Sequence, residues 1–405
     1  MKSVIIVGGG ASGLAAAVFA ADRGINVTVI EHEKILAKKL LITGKGRCNV
    51  TNDSDVEEIL KNIPRNPRFM YSSLYGFDSR DTMAFFESLG VELKVERGKR
   101  VFPKSDHSQD IANALINRAK TLGVEFIHDS ATGIITENGQ AVGVKTQKGE
   151  YRADAVIIAT GGKSYPKTGS TGDGYRFAQK LGINVTELSP SLVPIVTDNR
   201  AKSELMGLSL RNVTLKMFEK GAKHPVYEEL GEMLFTHFGV SGPLVLSSSA
   251  HMQNGKEYYY EIDLKPGLDE TKLDKRILRD FSDNPNRAVA NTLKSLLPHT
   301  LIPSVLEKCG ISCDEKVNSV TREQRSALVR TVKAYHLGII GKRPIDEAII
   351  TRGGIDVRGI DPKTMESRSV SSLYFIGEVL DVDAYTGGFN LQIAFSTAFA
   401  AANSL

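Results

Sequence analysis

Apolar positions near the start of the chain fall into two short runs, separated by a glycine turn and a stretch of alanines. Val4–Val7 reads as a buried strand, Gly8–Gly13 as a turn, Leu14–Asp22 as an Ala-rich helix and Val27–Ile30 as a second strand. Gly24 stands where that helix should stop, because a left-handed residue commonly ends a helix and Gly adopts that conformation freely. The segment is a βαβ unit close to the shortest a crossover permits. Thr82–Leu89 and Asp110–Leu122 then have helical spacing, the second with Ile111, Leu115, Ala119 and Leu122 on one face. Val124–Ile127, Ala141–Thr146 and Ala155–Ala159 read as strands, the last buried on both faces. Lys38–Asn52 shows little periodicity and reads as a Gly/Lys-rich loop.

Past about Ser189 the pattern changes. Val213, Leu215 and Met217 alternate with polar neighbours, as do Tyr258, Tyr260, Ile262 and Leu264, which predicts antiparallel strands with one buried face. From Leu268 to Val332 the spacing is helical, with Leu273, Ile277, Leu278 and Phe281 expected on one face. Strand and turn signals return from Ile355, and Gln392–Ala402 is an Ala-rich helix. The expected fold is therefore α/β: a discontinuous Rossmann-like domain from residues 1–190 and 351–405. An antiparallel β module (191–267 and 333–350) is inserted into it and carries a small helical insert (268–332).

Composition narrows the function classes. A chain of 405 residues needs more than one core. The formal charge of +4 arises from 51 basic and 47 acidic residues without a long basic block, so no nucleic-acid partner is expected. Cys48, Cys309 and Cys313 are too few for a disulfide framework and lack zinc spacing, so no metal site and a reducing, cytoplasmic location are expected. The three consecutive glycines and Ser12 interrupt the apolar N-terminal stretch, and no other run is long enough to span a membrane.

Gly8-Gly9-Gly10-Ala11-Ser12-Gly13 is a G-x-G-x-x-G between a strand and a helix. Gly8 allows the tight turn, Gly10 lets a pyrophosphate approach the backbone, and Gly13 lets the helix pack on the sheet. The helix start offers free N–H groups to the phosphates. Glu31 ends the second strand, where an acid that binds a ribose hydroxyl is expected, and it disfavours a 2′-phosphate. A dinucleotide is expected here, with FAD and NAD both open. The other terminus decides between them: Leu373–Glu378 is a buried strand ending in Gly-acid, followed by Gly387–Gln392 and a helix. A long two-part cofactor uses such a second helix start and turn, so FAD is the expected cofactor.

Lys38-Lys39-Leu40-Leu41-Ile42-Thr43-Gly44-Lys45-Gly46-Arg47-Cys48-Asn49-Val50-Thr51-Asn52 resembles the signature of the YhiN/BaiN-like FAD-dependent oxidoreductases, the group that includes the aminoacetone-oxidase family. Ala159–Gly162 with Tyr165-Pro166, Phe235–Pro243, Thr351–Gly354 and Gly377–Gln392 resemble it too, so the likeness covers essentially the whole chain. It implies a β-barrel-like form for the inserted β module, non-covalent FAD and a cytosolic enzyme, without a single substrate. It also implies Gly8, Gly10, Gly13 and Glu31 on the adenosine diphosphate half, with Thr43, Gly44, Arg47, Cys48 and Asn49 beside the flavin. Gly377, Glu378, Gly388, Asn390 and Leu391 would surround the ring. Ala11, Ser12, Lys39, Thr132, Gly161 and Gly162 complete the expected cofactor-binding set.

The flavin performs the redox chemistry, and few side chains are candidates to assist it. His237 has a side chain suited to proton transfer near neutral pH. Arg352, before two glycines, suits a carboxylate or a reduced, anionic flavin. Cys48 has no second cysteine nearby, so a structural or tuning role is expected rather than a thiol relay. No second G-x-G-x-x-G opens a helix mid-chain, so NAD(P)H, if it is the electron donor, binds without its own Rossmann module. The expectation is a FAD-dependent oxidoreductase acting on a small organic substrate, by amine oxidation or NAD(P)H-dependent reduction. A non-catalytic or regulatory flavoprotein whose inserted domains bind a partner is one alternative, and an RNA-modifying flavoenzyme another. The sequence leaves the oligomeric state open.

Overall fold

The computed structural model describes residues 2–198 and 203–405. The chain separates into two compact units, Met1–Ser191 with Pro344–Leu405, and Leu192–Arg343. The first is built on a five-stranded parallel sheet. Its central strand is β1 (Ser3–Val7), followed by helix α1 (Ala11–Asp22) and β2 (Asn26–Glu31). Across the sheet the order is Leu373–Phe375, Ala155–Ile158, β1, β2 and Glu125–His128. The strand from the C-terminal segment therefore pairs in register with Ala155–Ile158, and that strand in turn with β1. Near-continuous Val/Ile runs suit such strands because helices or other layers cover both faces.

Helix α1 begins at Ala11, three residues before the pattern indicated, because the last three residues of the glycine motif already have helical backbone. A Cβ on Gly13 would lie 1.9 Å from the Gly8 carbonyl oxygen, and one on Gly8 would lie 2.5 Å from that of Ala159. Only backbone fits at this junction. α1 packs along the C-terminal helix Phe389–Ser404, so both ends of the chain share one core. Two small sheets flank it: 131–137, 140–146 and 150–152 form one, and 51–52, 93–96 and 100–103 the other. Lys38–Ile42, expected as loop, is a short helix, α2, that buries only Leu40.

The second unit holds a closed six-stranded barrel made of 195–197, 239–241, 227–236, 209–219, 258–263 and 335–342. Val213, Leu215, Met217, Tyr258, Tyr260 and Ile262 point inward, as their alternation indicates. Helices Glu270–Ser282, Ile302–Lys308 and Arg322–Lys333 lie between two barrel strands in the chain and share one hydrophobic cluster with the barrel. Leu273, Ile277 and Phe281 are buried there, but Leu278 is 37% exposed. It follows Ile277 directly, and the helix turns about 100° between them, so the i, i+4, i+8 row takes the core face without it.

Gly13→Ala is expected to destabilise the fold by ~3 kcal/mol or more through this backbone clash, measured by denaturant unfolding. Gly10→Ala, whose Cβ would meet nothing within 4 Å, is expected to change it by less than about 1 kcal/mol.

Candidate functional site

The carboxyl ends of the parallel strands open on a cleft of about 1310 Å³, part of it reaching solvent. Its lining comes from the first unit: Gly8–Ser12, Ile30–Glu33, Lys38–Leu40, Thr43, Asp129, Ala131, Ala159–Gly161, Ile349, Ile350, Glu378, Val382, Asn390 and Leu391 are among the residues that contribute.

The N-terminus of α1 faces this space. No side chain caps it, and its first turn holds no acid. The first backbone N–H groups of a helix lack intrahelical partners, and the dipole there attracts negative charge. Gly10 leaves the approach open. Beside it, the Glu31 carboxylate is fixed by backbone: Oε2 accepts from Gly9 N–H at 2.7 Å and Oε1 from Glu33 N–H at 2.8 Å. Spare lone pairs remain for a ribose hydroxyl. The Thr160 hydroxyl, also on the wall, is buried without a partner. A bound ligand would satisfy it.

Farther along, two residues from opposite ends of the sequence form an ion pair. Lys39 Nζ donates to Glu378 Oε2 at 2.7 Å and to Ser164 Oγ at 2.7 Å. Glu378 Oε1 accepts from Ser164 Oγ and from the Thr351 N–H, both at 3.0 Å. Charge and donor directions are thus set before any ligand arrives. Beyond them, the Asn390 amide grips the chain turn by accepting from Ala384 N–H at 2.9 Å and donating to its carbonyl at 2.7 Å.

Of the expected cofactor residues, Gly8, Gly10, Ala11, Ser12, Glu31, Lys39, Thr43, Gly161, Glu378, Asn390 and Leu391 line the cleft. Gly13, Gly162, Gly377 and Gly388 are not lining residues. Gly13 packs on Gly8, Gly162 on the Thr351 and Glu378 side chains, Gly377 on Ser12 and Gly388 on the Thr51 backbone. Thr132 is exposed, and its hydroxyl donates to the Lys145 carbonyl; its neighbours Asp129 and Ala131 face the cleft instead.

The loop after α2 differs most from expectation. Gly44, Arg47, Cys48 and Asn49 lie outside the lining. The Arg47 guanidinium, expected to meet a ligand, pairs with Glu96 and Asp106 and sits 4.2 Å from the Phe102 ring centroid. Those carboxylates raise its pKa, and in return Arg47 holds Glu96 low while Lys94 and Arg47 hold Asp106 low. Cys48 is fully buried, and burial pushes its thiol up to about 12, against a smaller opposing contribution from Thr43. A thiol so protonated cannot act as a neutral-pH nucleophile. Asn49 Oδ1 is buried without a partner.

The two candidates for proton or charge transfer are not cleft residues. His237 is exposed at the turn between strands Tyr227–Thr236 and Gly239–Ser241 of the second unit. Arg352 ends the strand Ile350–Arg352, half-buried, where its charge acts on Asp383. The sequence reading missed Asp129, Ile349, Ile350 and Val382. A usable signal existed for Asp129: it directly follows a parallel strand, and ligands bind at the carboxyl ends of such strands.

The family model described as HI0933-like protein Rossmann domain matches residues 2–404. The chain is 31% identical to a 3-dehydro-bile acid delta(4,6)-reductase of Clostridium scindens, over 99% of this chain and 98% of that protein. It is 31% identical to a ribosomal RNA dihydrouridine synthase of Escherichia coli, over 99% and 97% respectively. Among solved structures, a 3-ketosteroid delta1-dehydrogenase from Sterolibacterium denitrificans shares the fold, with a TM-score of 0.51 and 14% identity over 100% of this chain and 99% of that one. Among the described residues no helix is long and apolar enough to cross a membrane.

The burial of Cys48 has a direct consequence. In the folded protein, Ellman's reagent is expected to titrate half-exposed Cys313 and to leave Cys48 unreacted until the chain is denatured. Fast labelling mapped to Cys48 would contradict its placement.

Proposed function

Since the chain belongs to the HI0933-like family, a family of FAD-dependent oxidoreductases, we propose that it adds two hydrogens across a C=C bond conjugated with a carbonyl in a small organic molecule. The observation that carries the cofactor reading is the cleft, where an uncapped helix start and a backbone-fixed Glu31 sit side by side. The residues fit FAD. Gly8–Ser12 would hold the pyrophosphate and Glu31 a ribose hydroxyl, while Thr160 carries a buried hydroxyl without a partner. Lys39, Glu378, Asn390 and Leu391 would position the second half. Bound FAD would supply the two-electron chemistry of the site.

The direction of the reaction is supported by the relatives. Read as chemistry, their names describe hydrogen addition to double bonds conjugated with a ring ketone in one case, and to the double bond of a uracil ring in the other. The two acceptors share a carbonyl that draws electrons from the C=C bond. A uracil base within RNA is the second reading. The name of the second relative, matched over 99% of this chain, supports it. Binding to RNA that weakens steeply with salt would support that reading.

Anaerobic NADH or NADPH is expected to bleach the bound flavin, and an α,β-unsaturated ketone to restore its colour. Bleaching by a small amine with no response to either nucleotide would contradict the reductase reading. Gly10→Val, which places a branched side chain in the phosphate approach, is expected to purify colourless with its fold intact by circular dichroism; a yellow variant would contradict the assignment of Gly10.

A further inference from the structure

Asp383 lies one residue behind the cleft wall, and the reaction has no other assigned use for it. Its predecessor Val382 lines the cleft, and its successor Ala384 is gripped by Asn390, another lining residue. On its far side Asp383 Oδ2 accepts from Ser191 Oγ at 2.9 Å, and Ser191 is paired across two strands with the lining residue Ile350. The carboxyl is 2% exposed, and its Oδ1 is buried with no partner. The charged groups that face it are Arg352, Arg65 and Asp381. Arg65 is already committed to Asp381, to which its Nη2 donates at 2.7 Å, and it also interacts with Asp356.

We infer that Asp383 is the redox-linked proton holder of this site, gaining a proton as two electrons enter the cleft and releasing it as they leave for the substrate. The inference rests on the flavin-reductase reading above. Burial pushes the carboxyl up to about 6, and this outweighs the opposing effects of Ser191, Arg352 and Arg65. At neutral pH it is therefore mostly ionised but close to protonation. Negative charge added nearby in a poorly screened interior raises it further and draws in a proton. When that charge leaves, Ser191 and the two arginines stabilise the carboxylate again.

The balance closes. A reductant of the nicotinamide class delivers a hydride, which is two electrons and one proton, and solvent supplies the proton taken by the Asp383 carboxylate. In the second half the substrate π bond breaks, one carbon forms a C–H bond with the hydride and its neighbour forms one with a proton. Asp383 releases the equivalent proton. The cleft ends oxidised and Asp383 ionised, as they began.

The test is the pH dependence of the flavin midpoint potential in FAD-loaded protein, which counts protons taken up per electron pair. Between about pH 6 and 8 the unmodified protein is expected to take up more protons than Asp383→Asn. Ser191→Ala removes a hydrogen bond to the carboxylate, so it is expected to move the onset of that extra uptake to higher pH. A merely structural role would not produce that shift. Superimposable curves for all three proteins would overturn the proposal. If Asp383→Asn fails to retain FAD, Ser191→Ala alone decides: an upward displacement supports the proposal and an unchanged curve overturns it. A chain that never binds FAD would contradict the cofactor reading instead, so the two failures are distinguishable.

Discussion

A Cβ on Gly13 would lie 1.9 Å from the carbonyl oxygen of Gly8, so only a glycine lets α1 sit this low on the sheet. That contact aims the uncapped helix start into the cleft and brings Ser12 against Gly377 from the other end of the chain. A helix held even one methyl group higher would move its N–H groups away from the ligand and part the two termini. Stability and recognition meet in the same backbone contact, which is why the motif tolerates so little at Gly13 and leaves so much room at Gly10.

The chain closes the cleft with polar groups far apart in sequence. Lys39 and Glu378 share Ser164 as a common partner, and Thr351 fixes the far oxygen of Glu378 from a fourth segment. A partly buried ion pair is a weak source of stability, because losing water offsets much of its attraction. Its value here is geometric, since it holds a cation and an anion at set places on the wall. Asp383 follows a different logic: it is buried without full compensation, and that imbalance leaves it able to respond to charge in the neighbouring cleft.

The sheet and its cofactor end were legible because backbone demands are written locally. Buried strands require apolar runs, and the close approaches at Gly8 and Gly13 admit only glycine, so Val4–Gly13 and Leu373–Gln392 carried their own reading. The barrel strands were equally readable, since Val213, Leu215 and Met217 alternate with solvated neighbours. The loop after α2 was not. Arg47 is claimed by Glu96 and Asp106, which are 49 and 59 residues away, and nothing near it in sequence announces that competition. Cys48 takes a left-handed backbone (φ 57°) that a cysteine rarely adopts and no pattern anticipates. His237 and Phe238 form the two-residue turn of a hairpin that pairs Thr236 with Gly239. Asp383 went unread because a single acid in a turn has no periodicity; its environment comes from Arg65, Ser191 and Arg352.

FAD held in the cleft without a covalent bond would come off the protein intact when the fold is lost. The most direct measurement is the visible absorption spectrum of the purified chain, followed by heating and mass analysis of whatever is released. Flavin bands on the protein that shift on release, together with a soluble chromophore of the mass of FAD, are expected. A colourless chain that takes up no added FAD, or a chromophore that stays with the denatured protein, would contradict non-covalent FAD binding.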